Sequence, residues 1–164
     1  MIMACCDSRA APETILYAGP GEIFVMRNVA NLVPPYAPDG GHRATSAAIE
    51  FAVLSLGVRD VMVMGHGRCG GIKAVVEGGD PLSAGDFIGK WMSDVRDVAE
   101  AVKQDHDHEH GINLLTAVEH ASVEHSLANL RTFPWLRMRE NKGELALHGA
   151  WFDVSLGELH SYDE

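Results

Sequence analysis

The feature that most restricts the fold is Asp60–Met64 (DVMVM), a short and nearly continuous apolar run that leads into His66-Gly67-Arg68-Cys69-Gly70-Gly71. A strand that is apolar on both faces must be covered on both faces, the condition of a strand inside a parallel sheet. Other segments repeat the pattern. Residues 1–6 are small and apolar until polarity breaks at Asp7-Ser8-Arg9, which reads as a buried strand running into a loop. Glu22–Arg27 (EIFVMR) and Leu145–Val154 (LALHGAWFDV) read as two further strands, the latter the last of the chain.

Helical segments separate these strands. Pro12 and Glu13 suit the first turn of a short helix within Ala10–Ala18, stopped by Gly19-Pro20-Gly21. Thr45–Leu56 carries Ile49, Ala52, Val53 and Leu56 on one stripe, with Gly57 as its stop. A further helix opens over Ile72–Val76, and others are expected over Phe87–Val102 and Gly111–Thr132. Asn31–Gly41, with Pro34, Pro35 and Pro38, is a loop. The alternation predicts one α/β domain over residues 1–164, with a central, mainly parallel sheet flanked by helices.

Composition excludes several classes. The net charge of −10 argues against nucleic acid as a partner, because a phosphate backbone calls for a basic surface. Apolar stretches are interrupted too often to span a membrane, and MIMACC lacks the basic flank of a secretory signal. Three cysteines, Cys5, Cys6 and Cys69, do not form a disulfide framework and point to reduced thiols in a cytoplasmic setting. The run Asp105–His110 (DHDHEH) reads as a solvated loop, and Trp91, Trp135 and Trp151 as packing residues.

Residues two apart on a strand share a face, so Cys5 and Asp7 project together and Cys6 projects away, as an expected core thiol. A thiolate and a carboxylate side by side need cations. Arg9 can serve Asp7, either as a structural pair or as part of a site, whereas the thiolate calls for a metal. His66 and Cys69, three apart where a loop enters a helix, can close on one ion. They also follow the carboxyl end of a strand, where sites form in open α/β sheets. Two sulfurs and one imidazole nitrogen leave a fourth position open, the pattern of a catalytic zinc.

Cys5-Cys6-Asp7-Ser8-Arg9 resembles the Cys-x-Asp-Ser-Arg motif of β-carbonic anhydrases, and His66-Gly-Arg-Cys69-Gly-Gly resembles their His-x-x-Cys-Gly-Gly motif. Gly21–Asn31, Ala47–Ala52 and residues 130–160 are similar to the family's second strand, following helix and C-terminal helix and strand. The Val33-Pro34-Pro35-Tyr36 turn is similar to the plant-like branch.

The resemblance implies zinc held by Cys5, His66 and Cys69. It implies reversible hydration of carbon dioxide to bicarbonate by a zinc-bound hydroxide that the Asp7–Arg9 dyad orients. Phe24, Val29 and Gly70 would line the substrate pocket. It also implies a homodimer or higher homo-oligomer. In the family, helices precede the first strand and wrap over a partner subunit. Met1 stands four residues before Cys5, so that arm is expected to be absent. The alternatives are a hydrolase of carbon disulfide or carbonyl sulfide on the same site, and a non-catalytic zinc-bearing subunit.

Overall fold

The computed structural model describes residues 1–106 and 113–162. Except for the backbone of Asp105 and His106, the Asp105–His110 run lies outside the described residues, as does the expected helix start at Gly111.

The strands are β1 (Ile2–Cys5), β2 (Val25–Asn28), β3 (Asp60–His66), β4 (Ala146–Asp153) and β5 (Glu158–Ser161). They form one sheet in the order β2-β1-β3-β4-β5. All pairs are parallel except β4 with β5. The helices are α1 (Pro12–Ile15), α2 (Ala44–Glu50), α3 (Gly70–Glu77), α4 (Phe87–Trp91), α5 (Ser93–His106), α6 (Leu114–Leu130) and α7 (Pro134–Asn141). None of the described helices is long and apolar enough to cross a membrane.

β1 is buried at every position and β3 at all but two, as expected for inner parallel strands. Successive side chains take opposite faces. Met3, Val61 and Val63 join Val123, Leu130, Phe133 and Leu136 in the larger core, whereas Ile2, Ala4 and Met64 gather with Ala150 on the other side. A third cluster, near the carboxyl ends of the strands, packs Cys5 and Cys69 with Ile72, Met92, Val95, Ala99 and Val118.

Four expectations are corrected. Leu145–Val154 does not hold the last strand, because β5 follows and pairs antiparallel with β4. Phe87–Val102 is two helices, interrupted at Met92, where the Ser93 hydroxyl donates to the Lys90 carbonyl at 2.8 Å. Leu56 is exposed rather than on the buried stripe of Ile49, Ala52 and Val53. The helix widens to a π turn over Phe51–Ser55, which shifts the phase of the residues after it. Cys6 is exposed rather than a core thiol, because β1 ends at Cys5 and no layer covers the next residue.

Gly65 lies where β3 meets α6. A Cβ there would sit 2.6 Å from Val123 Cγ2, an atom of a fully buried side chain. Gly65→Ala is therefore expected to destabilise the metal-free chain by about 1–3 kcal/mol through overpacking. Urea unfolding of the metal-free protein measures this, and an unchanged midpoint would refute the packing argument.

Candidate metal centre

β1 and β3 are adjacent and parallel, with Ala4 opposite Met64. Their carboxyl ends therefore bring Cys5 and His66 together, and the turn after β3 returns Cys69 to the same place at the start of α3. The ligand-type atoms of Cys5, His66 and Cys69 all lie within 4.8 Å of one another, and all three residues are buried.

The donor set fits a metal. The Nδ1 of His66 faces the Gly67 carbonyl oxygen at 3.0 Å, which leaves Nε2 with the lone pair. That Nε2 is buried and has no hydrogen-bond partner. An orphaned imidazole nitrogen beside two sulfurs is costly unless an ion completes it. The geometry is that of two soft sulfurs and one nitrogen, which favours zinc over magnesium or calcium.

The first sulfur is held by backbone. The amides of Asp7 and Ala30 donate to Cys5 Sγ at 3.4 and 3.3 Å. Ala30 can do so because the turn Val29–Asn31 takes φ values of 63° at Ala30 and 50° at Asn31. Asn28 clamps that turn, its side chain accepting from the Leu32 amide at 2.9 Å and donating to the Leu32 carbonyl at 2.8 Å. The neighbouring Cys69 sulfur holds the Cys5 thiol well below its ordinary pKa against the opposing effect of burial. The Cys69 thiol is pushed up by the same contact and by burial. Without metal the two sulfurs therefore compete for one proton. Burial works against a charged His66, but Cys5, the Gly67 carbonyl and Asp7 together outweigh it and raise the imidazole pKa.

Asp7 and Arg9 form a two-pronged pair, with Nε to Oδ1 at 3.0 Å and Nη2 to Oδ2 at 2.7 Å. The Arg9 amide adds a third contact to Oδ1 at 2.9 Å. The Arg9 side-chain bonds hold the Asp7 carboxyl far below the usual carboxylate range. Nη2 of Arg9 also donates to the Arg68 carbonyl at 3.1 Å, tying the dyad to the turn that carries Cys69.

The predicted pocket residues are not all brought together. Val29 lies beside the centre. A Cβ at Gly71 would be 2.9 Å from Val29 Cγ1, so the first turn of α3 approaches the Val29–Ala30 turn closely only because residue 71 is glycine. Gly70 opens α3 and faces open space. Phe24 is elsewhere. It precedes β2, whose other end, Asn28, is the residue opposite Cys5. Four residues of strand separate it from that end, about 13 Å. Its ring instead lies against Phe51, with centroids 6.1 Å apart.

Sequence reasoning missed two residues here. Arg27 donates from Nε to the Cys5 carbonyl at 2.8 Å and from Nη2 to the Asp7 carbonyl at 2.6 Å, bracing the end of β1. Its signal was a charged residue at the end of an apolar run. Glu119 is buried on α6, where it accepts from the Cys69 amide at 2.9 Å and the Trp151 indole N–H at 3.3 Å. Burial raises its pKa. Its signal was an acid on the stripe shared by Val118, Ser122 and Val123.

A family model described as carbonic anhydrase matches residues 1–159. The chain is 38% identical over 153 residues to "Beta carbonic anhydrase 5, chloroplastic" of Arabidopsis thaliana, covering 93% of this chain and 50% of that protein. It is 37% identical over 165 residues to a carbonic anhydrase of Pseudomonas aeruginosa, covering 99% and 72%. The chain thus spans half the length of the chloroplastic relative. Among solved structures, the β-carbonic anhydrase CcaA superposes with a TM-score of 0.89 at 28% identity, covering 99% of this chain and 78% of that one. One of two tetrameric β-carbonic anhydrases from Sordaria macrospora gives 0.85 at 27%, covering 99% and 79%.

Cys5→Ala is expected to abolish stoichiometric zinc uptake. Metal analysis of the purified variant tests it, and a full equivalent of zinc at the same site would refute the ligand set. Zinc must displace the proton that the two sulfurs share, so apparent affinity should rise with pH and fall as the solution is acidified. Chelator competition across a pH series measures the slope, and a flat profile would contradict the shared proton.

Proposed function

The chain belongs to the β-carbonic anhydrase family, and on that footing we propose that it is a zinc enzyme catalysing the reversible hydration of carbon dioxide to bicarbonate. One observation carries the reading: Cys5, His66 and Cys69 converge at the ends of two parallel strands, with a paired Asp7–Arg9 beside them.

The sulfurs of Cys5 and Cys69 and the Nε2 of His66 would hold the ion. A zinc ion there supplies the Lewis acidity that makes water a nucleophile near neutral pH. The remaining work falls to the chain itself. Asp7 accepts the O–H of the attacking water and so sets the direction in which its free lone pair meets carbon. Arg9 occupies Oδ1 and Oδ2 together and keeps the carboxylate from collapsing onto the ligand cluster. Val29 offers an apolar wall to a linear, uncharged substrate. The amide of Gly70, at the start of α3, is suited to the oxygen on which charge develops.

We also propose a homo-oligomer working in a reducing compartment such as the cytoplasm. Phe51, Leu54 and Leu56 are each more than half exposed, an apolar patch that a second copy would cover. Phe24, beside Phe51, reaches a substrate pocket only in such a second copy. Three unpaired cysteines support the compartment. The tetrameric description of the Sordaria macrospora proteins supports the assembly.

Stopped-flow hydration of carbon dioxide by the zinc-loaded chain is the direct test, and absence of catalysis above the uncatalysed rate would overturn the proposal. Within it, Arg9→Ala should keep zinc but lose activity steeply, because the unpaired Asp7 carboxylate is drawn to the dication. Asp7→Asn should keep zinc and lose about a hundredfold or more, the scale of a positioned acid–base group. Near-full activity in both variants would make the pair merely structural.

A further inference from the structure

Glu119 lies outside the ligand set and the dyad, yet it accepts the backbone amide of Cys69, one of the three ligand residues. It is 2% exposed. Its hydrogen-bond partners are N–H groups of the turn and sheet around the site rather than a bound cation. A buried carboxylate costs several kcal/mol unless it is well hydrogen-bonded, and an apolar side chain would fill the space more cheaply. Its contacts are therefore informative. One oxygen takes the amide of Cys69, the residue that carries the second sulfur and caps α3. The other takes the indole N–H of Trp151, which lies on β4 opposite Gly65 of β3.

The same tryptophan supports the turn from beneath. A Cβ at Gly67 would lie 3.0 Å from the Trp151 ring, and the Gly67 amide donates to the Phe152 carbonyl at 2.9 Å. The turn from His66 to Cys69 is thus fixed to β4 at Gly67 and to α6 at Cys69. Without Glu119 the second attachment is lost and the Cys69 amide is buried without an acceptor. The Cys69 backbone would keep its bond from the Lys73 amide and the Arg9 bond at Arg68, but the direction of Sγ would be less tightly set.

We infer that Glu119 is a positioning residue for the metal centre, acting through the Cys69 amide and itself held by Trp151. The inference rests on the reading of Cys5, His66 and Cys69 as metal ligands. Groups that orient ligands in this way typically change metal affinity by roughly 10–100-fold when replaced.

The test compares Glu119→Gln with the parent chain. Glutamine keeps the shape, but its NH2 must face one of the two N–H donors, so one contact is broken. Zinc release to an excess of chelator should be at least about tenfold faster, equivalent to about 1.4 kcal/mol. The thiolate-to-metal absorption of the cobalt-loaded protein should shift, because the angle at Cys69 has changed. A purely structural role would lower the unfolding midpoint of the metal-free chain and leave both readouts unchanged in the folded protein, which would overturn the inference. If Glu119→Gln does not fold, Trp151→Phe removes the second N–H together with the edge of the indole ring that lies beneath Gly67. It should shift the same two readouts in the same direction by less, and unchanged readouts would again overturn it. A parent chain that takes up no metal at the triad refutes the ligand reading first. A parent that does, beside a variant indistinguishable from it, refutes this inference alone.

Discussion

Burying two sulfurs and an imidazole nitrogen within 4.8 Å is the constraint on which the rest of the structure depends. Such a cluster repels itself once its sulfurs ionise, and unpaired charge in a low-dielectric interior is expensive. The surrounding chain answers with fixed donors. Two amides reach Cys5 Sγ, and one of them requires an alanine in left-handed conformation. That conformation costs about 1–2 kcal/mol for a residue with a Cβ. It is held by the Asn28 clamp on one side and by the close approach of Gly71 on the other. A strained turn over-determined by its neighbours is what a preorganised ligand site looks like.

The sheet order supplies the convergence. Because β1 lies between β2 and β3, the turn after β2 and the turn after β3 flank the end of β1 on opposite sides. Cys5 therefore meets Ala30 from one neighbour and His66 and Cys69 from the other. Parallel pairing is what makes all three strand ends coincide. An antiparallel neighbour would have put one of these turns at the far edge of the sheet. β5, the one antiparallel strand, is separated from β1 by two strands and takes no part.

What was legible in the sequence follows from how local each signal is. β3 could be read because four consecutive apolar residues, Val61–Met64, mark it, three of them buried. The ligands could be read because His66 and Cys69 are three apart and Cys5 closes an apolar run. β5 could not be read: its four residues are all exposed and are held by backbone pairing to β4, which leaves no apolar alternation. Leu56 was misplaced because a π turn changes the helical phase, which a regular repeat cannot anticipate. For Cys6, alternation gave the correct side, but burial depends on whether a layer covers that side. Arg27 and Glu119 act across 22 and 50 residues of sequence, on backbone atoms that carry no residue-specific signature. The identity and length of the second-layer contacts belong to the fold, not to a motif.

The two carboxylates beside the centre are treated in opposite ways. Asp7 sits at the accessible edge, paired with Arg9, and its carboxyl is held far below the ordinary range. Glu119 sits behind Cys69, away from solvent, and burial pushes its pKa upward. Environments that drive like groups apart assign them different work. The charge on Asp7 is unaffected anywhere near neutral pH, so it gives the site a constant field and a constant hydrogen-bond acceptor. It follows that Asp7 does not set the pH dependence of the site. That dependence must come from groups whose protonation does change near neutrality, namely the attacking water and the imidazole and thiols that have to lose protons before an ion can be held.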